Sequence, residues 1–472
     1  MLKYRRLRVY KNYNGNSRKR SNKGDIVKIE MIVFQLMLAT LMITAVCLSA
    51  LAGEPESRPL LRDFMGINGH TVQFRPKLYA ANCRLVRDYH GLGWDVGDET
   101  HYWPQFPFAR NRVNWEDVYG SWKQEGFEID VSIMFNGIAA EQWTDLERDA
   151  NTYGFAFARF FGPNSELKLV TSVEIGNEPG HYSDPDYRKL FESMARGLRA
   201  GDPEIKILTC NMTLEESGKY AKNMELLRGL ESLYDVINIH VYAAVEGWPT
   251  WRRSYPEDPD IDYLKTIESV IAWRDQNAIG KEIWITEFGW DASTKQPPAE
   301  GDFSRWEGVT DLQQAQYLVR SFLVFSKMDV ERAYIYFFND SDKPHVHSSS
   351  GLTRNFQPKP AFYAVSSLYR TIGDYRFRRA ITEKVGKLYV YEFVHENDPC
   401  RRILAVWSPT GSGREDVARI PLNGGKILSA TRISLSADNF PTADIRIDGD
   451  YIEVKYDESP VFISMQFPDD TN

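Results

Sequence analysis

Short apolar runs and amphipathic stretches take turns along most of this chain. Runs at Phe64–His70, Cys83–His90, Glu128–Phe135, Val173–Asn177, Lys206–Cys210, Val236–Tyr242, Glu282–Phe288 and Arg332–Phe338 are too short for buried helices. Their nearly continuous hydrophobicity predicts parallel strands covered on both faces. Between them the 3.6-residue period predicts helices over Trp115–Gly126, Thr144–Phe161, Asp184–Ala200, Tyr220–Leu233, Asp262–Asn277, Asp311–Met328 and Lys359–Ile372. Asp184-Pro185 reads as cap and first-turn proline of the third of these. The alternation over residues 60–372 predicts a (β/α)8 TIM barrel. An open doubly wound sheet is the alternative, but no Gly-rich phosphate turn follows the first strand. From residue 373 to 472 the period falls to two, with strands expected at Lys387–Val394, Arg402–Trp407, Lys426–Leu435, Tyr451–Tyr456 and Pro460–Gln466. That predicts a small all-β domain, a sandwich, read as a brace for the barrel in preference to a carbohydrate-binding module.

Two of the barrel strands end on carboxylates. Val173-Glu174-Ile175-Gly176 runs into Asn177-Glu178-Pro179, and Trp284-Ile285-Thr286 runs into Glu287-Phe288-Gly289-Trp290. The C-terminal ends of barrel strands are where catalytic side chains collect. A carboxylic acid and a carboxylate facing each other are the usual equipment for cleaving a glycosidic bond. Side chains two apart on a strand share a face, so His240 and Tyr242 both aim at the barrel mouth. Glu174 would lie deeper and needs a cation; Arg87 on the second strand is the expected partner of Glu174 or Glu287.

Composition narrows the setting. A basic segment precedes an uncharged apolar run from Met31 to about Leu51, ending in Ala50-Leu51-Ala52. Residues 1–53 therefore read as a signal peptide, with an uncleaved membrane anchor as the alternative, and the remainder as exported. This leader carries 10 Lys/Arg and 2 Asp/Glu, so without it the net charge of −8 becomes −16. Such an acidic chain is a poor partner for nucleic acid, and it meets a membrane only if the leader stays attached. Cys83, Cys210 and Cys400 are scattered, which excludes a disulfide framework and a cysteine metal site. His345-Val346-His347 has metal-ligand spacing without a third ligand, so no metal and no cofactor are expected.

The ordered set Asn177-Glu178-Pro179, Ile285-Thr286-Glu287-Phe288-Gly289, Arg87, His240 and Tyr242, with Lys359-Pro360-Ala361-Phe362-Tyr363-Ala364 closing, resembles the clan A glycoside hydrolases, families 5 and 39 above all. The resemblance spans Phe64 to Ile372. It implies a retaining enzyme acting on β-glycosidic bonds of a carbohydrate, with Glu178 as acid/base, Glu287 as nucleophile and Asn177 on the sugar 2-hydroxyl. It further implies carboxyls about 5–5.5 Å apart. The clan often places a Trp at the end of strand eight, where this chain has Tyr336-Phe337-Phe338. The platform is therefore expected from a Phe at that strand end or from elsewhere, with Trp290 as the candidate. His181, Trp103, Trp248 and Trp251 are expected as subsite residues. A catalytically silent carbohydrate-binding barrel and a transglycosylase are the rival readings.

Overall fold

The computed structural model describes residues 58–69, 75–437 and 440–468. The leader at 1–53 and most of the linker from Glu54 to Pro59 lie outside them. Eight strands follow one another: β1 Met65–Asn68, β2 Leu85–Gly91, β3 Glu128–Met134, β4 Ser172–Ile175, β5 Lys206–Thr213, β6 Val236–His240, β7 Glu282–Phe288 and β8 Arg332–Ile335. Each pairs in parallel with its sequence neighbours, and β8 returns to β1, so the sheet closes into a barrel. Closure removes the free edges of these eight strands.

Helices α1 Trp115–Gln124, α2 Leu146–Phe161, α3 Asp184–Gly201, α4 Tyr263–Asn277, α5 Asp311–Lys327 and α6 Pro360–Ile372 pack outside. Their starts are chemically marked. Asn114, Asp145, Ser183 and Thr310 each accept a hydrogen bond from a first-turn N–H, satisfying donors that the helix itself leaves free. The cap of α3 is thus Ser183, one residue before the expected Asp184, with Pro185 inside the first turn.

One expected helix is absent. Over 220–233 the chain forms two short turns of 3-10 helix, Met224–Leu227 and Glu231–Leu233. Gly229 between them sits at φ 85°, a left-handed geometry that no α-helix continues through.

The C-terminal part is all antiparallel: β9 Tyr375–Lys384, β10 Leu388–His395, β11 Asp398–Trp407, β12 Asp416–Pro421, β13 Lys426–Arg432, β14 Ile445–Asp448, β15 Tyr451–Tyr456 and β16 Val461–Gln466. They form a five-stranded sheet in the order β9-β10-β11-β16-β13 and a three-stranded sheet in the order β12-β15-β14. Period-two alternation divides the larger sheet cleanly. Val390, Leu404 and Val406 face the smaller sheet, with Ile420, Ile452 and Val454 opposite, while Tyr391, Ile403, Ala405 and Trp407 join the barrel's core. Trp407 Nε1 donates to Glu257 at 2.7 Å, and Arg320, fully buried, donates to Glu257 at 3.0 Å and to the Thr410 carbonyl at 2.8 Å. Apolar burial and these hydrogen bonds from Trp407 and to Thr410 join the sheet to the barrel. Cys83, Cys210 and Cys400 are buried and outside any disulfide. No helix among the described residues is long and apolar enough to cross a membrane.

Candidate active site

The site begins where β4 stops. Gly176 has φ 85°, and a Cβ there would lie 2.8 Å from the Phe135 ring. Only glycine takes that conformation without strain. The turn ends the strand at Ile175, earlier than the sequence predicts, and lifts Asn177 and Glu178 onto the mouth of the barrel.

Beneath them lies a buried network. Arg87 grips Glu174 with two hydrogen bonds, Nε to Oε2 at 2.8 Å and Nη2 to Oε1 at 2.9 Å, with both side chains fully buried. The same guanidinium donates to Asn68 Oδ1 at 2.8 Å, Asn177 Oδ1 at 2.7 Å and Glu287 Oε1 at 3.2 Å. It therefore serves both expected carboxylates. A forked cation with its donors all used is the form in which a buried charge is tolerated. Beside it on β3, Asp130 is pushed up to about 7 by burial, with the nearby Glu174 charge adding to the rise.

Glu287 is the most densely supported carboxylate in the cleft. Tyr89 donates to its Oε1 at 2.8 Å and Tyr242 to its Oε2 at 2.7 Å, while His240 Nδ1 lies 3.6 Å from Oε2. Burial by itself would raise its pKa. The His240 ring, the Arg87 guanidinium and the hydroxyls of Tyr242 and Tyr89 outweigh that and hold it at about 2. Burial, reinforced by the Glu287 charge, pushes both phenols well above their ordinary range, so they stay O–H donors.

Glu178 has a different environment. Its side chain is 24% exposed, and among the described residues its polar side-chain contact is His240 Nδ1, 3.0 Å from Oε1. Whether Nδ1 donates or accepts there depends on the tautomer of His240. The donor atoms of Glu178, His240 and Glu287 all lie within 4.8 Å of one another. Among the described residues they are the one group of three such side chains close enough to share a metal ion. Arg87, already bonded to Glu287, repels a second cation there.

All of this forms the floor of a cleft of about 880 Å³, lined also by Tyr89, Asn177, Tyr242, Tyr336, His347, Trp94 and Trp251. Four expected residues are elsewhere. Trp290 is fully buried: its Nε1 donates to the Ser254 carbonyl at 2.7 Å and its ring packs on Tyr263 and Tyr317. Past Gly289 its side chain enters the barrel–helix layer, so it offers no platform. His181 is exposed and set against Tyr182, outside the cleft walls. Trp103 and Trp248 are also outside them, whereas Trp251 is part of them.

The place left open at strand eight is filled by Tyr336, whose peptide bond to Phe337 is cis, and by His347. The His347 ring lies 4.8 Å from Tyr242 and 5.6 Å from Tyr336, edge to face in both cases. Burial, then the neighbouring Arg253, lowers its pKa, which keeps the ring neutral. His345 stacks on Phe303 instead, so the His-x-His pair does not converge. Sequence reasoning passed over Tyr89 and Asn68. Tyr89 stands two residues from Arg87 on β2 and so shares its face, and Asn68 is Arg87's register partner on β1.

No family model matches the sequence, and no curated protein matches it. Solved structures do match in fold. A family 39 glycoside hydrolase from Bacteroides cellulosilyticus WH2 superposes with a TM-score of 0.64 at 16% identity, over 87% of this chain and 82% of that one. A glucosidase from Croceicoccus marinus gives 0.60 at 14% identity, over 88% and 98%. An α-L-arabinofuranosidase from Thermotoga maritima gives 0.59 at 14% identity, over 88% and 99%. The chain shares the fold of these structures, of which the family 39 enzyme and the arabinofuranosidase are clan A glycoside hydrolases.

Proposed function

We propose that this protein is a retaining glycoside hydrolase that cleaves β-glycosidic bonds of an oligo- or polysaccharide by double displacement. The observation that carries the reading is the pair Glu178 and Glu287, facing one cleft with donor oxygens within 4.8 Å. Inverting enzymes separate their carboxyls by about 6.5–9.5 Å to admit a water between them. Glu287, held ionised, attacks the anomeric carbon. Glu178 gives its proton to the departing glycosidic oxygen, and a glycosyl ester on Glu287 results. Water then enters, Glu178 takes its proton, and the anomeric carbon accepts the hydroxyl while its bond to Glu287 breaks and Glu287 leaves as carboxylate. Arg87 fixes Asn177 through its Oδ1, which leaves the Asn177 amide N–H free to donate to the sugar 2-hydroxyl. His240 touches both carboxyls and steadies the proton as Glu178 alternates between acid and base. The leader at 1–53 supports action outside the cytoplasm.

The test is the leaving-group dependence of Glu178→Ala. On glycosides with poor leaving groups kcat should fall by about 10²–10⁴-fold, the range of general acid catalysis. Dinitrophenyl glycosides need no protonation, so their glycosylation step should survive, and added azide should restore turnover as the β-glycosyl azide. An equal loss on every leaving group would remove the acid/base role from Glu178.

A further inference from the structure

The walls of the cleft narrow the substrate class, on the premise that the hydrolase reading holds. Asp98, Glu178 and Glu287 line it, and among the described residues no Lys or Arg does. The cations that border it are already committed. Arg87 is bonded to Glu174 and Glu287, Arg253 lies 3.2 Å from Asp291 beneath the Tyr242 ring, and Arg110 is 2.9 Å from Glu99. A sugar carboxylate or sulfate entering this cleft would meet carboxylates and find no unpaired cation.

One arm of the cleft carries a prepared apolar surface. Trp94 is 39% exposed and stacks at 6.0 Å and 22° on Trp115, which is fully buried. Trp115 stacks in turn on His90 at 3.8 Å and 25°. His90 is pinned by Asp95 and Tyr119, each at 2.7 Å, and Asp95 also accepts from Trp115 Nε1 at 2.7 Å. Trp94 is thus the outermost plate of a stacked column whose inner members are locked by hydrogen bonds. The Trp94 ring packs on Trp115 and is part of the cleft lining. A rigid indole of that kind meets the C–H face of a pyranose at little cost in conformational entropy. The cleft is near the upper end of the roughly 300–1,000 Å³ typical of ligand pockets, more than one sugar ring fills.

We infer that the substrate is a neutral oligosaccharide or polysaccharide, engaged by at least two sugar units, one at Glu178 and Glu287 and another stacked on Trp94. Two measurements test this. The first compares kcat/KM on neutral β-linked tetrasaccharides (cellotetraose, xylotetraose, mannotetraose) with 4-nitrophenyl monoglycosides and with the equally β-1,4-linked but acidic tetramannuronate. In Trp94→Ala the ratio of tetrasaccharide to monoglycoside kcat/KM should fall about tenfold, the scale of one aromatic stacking contact. Trp94→Phe should recover part of it, and tetramannuronate should not be a substrate.

The second measurement is tetrasaccharide binding to Glu287→Gln by tryptophan fluorescence, which should weaken about tenfold when Trp94→Ala is added. An unchanged ratio with unchanged affinity, or tetramannuronate bound as tightly as the neutral glycans, would overturn the inference and leave the hydrolase intact. Trp94-dependent binding with no turnover would uphold it and remove the hydrolase. Neither binding nor turnover would overturn both.

Discussion

Glu287→Gln should lower kcat by roughly 10⁴-fold or more on every glycoside, whatever its leaving group, because the covalent route loses its nucleophile. This separates it from Glu178→Ala, whose defect depends on the leaving group. The fold should persist, since Arg87 keeps its two bonds to Glu174. The pH dependence should change in a defined direction. Glu287 is depressed from 4.5 to about 2, so its ionised form adds stability that is full above about pH 4.5 and lost as pH falls toward 2. Thermal melts of wild type should show that acid slope, and melts of the Gln variant should show less of it. An active Gln variant on a poor leaving group would assign the nucleophile to another carboxylate.

Arg87→Met should be the most destabilising single change in the site. It strands Glu174, which is fully buried, and removes the donor that connects Asn68, Asn177 and Glu287. Breaking one side of a buried ion pair typically costs about 3–5 kcal/mol. Denaturant titration should show that loss, and Arg87→Met combined with Glu174→Gln should recover much of it without recovering activity. Recovery of stability alone identifies Glu174 as the structural counter-ion and Arg87 as support for the chemistry. A loss of only about 0–1 kcal/mol, the value of an exposed pair, would contradict the buried network.

The barrel was legible because its strands are buried on both faces, so Val173, Ile175, Ile283 and Ile285 stand out as apolar runs between polar helices. The carboxylates were legible from their place at strand ends, and the pairs His240/Tyr242 and Glu174/Arg87 from side-chain periodicity and the demands of buried charge. What failed were backbone events without a periodic signature. Gly229 breaks a stretch that composition alone reads as helix, and Gly176 ends β4 early. Trp290 shows a limit of a different kind. An aromatic directly after a glycine can turn into the mouth or into the helix layer, and only tertiary packing decides. Strand β9 went unread because it carries Arg376, Arg378, Arg379, Glu383 and Lys384, and because irregularities between Phe377 and Arg379 and between Ala380 and Thr382 disrupt its alternation. The stacked column under Trp94 joins β2, the short helix Leu92–Val96 after it and α1, a contact that no local pattern announces.

The measurement that bears most directly on the account is proton NMR of the first sugar released from a β-glycoside that the enzyme turns over. Double displacement through Glu287 predicts that the β-anomer appears first and that mutarotation brings in the α-anomer only later. Initial release of the α-anomer would contradict it: Glu287 would then act as a base through water, and the close approach of the two carboxyls would need another explanation.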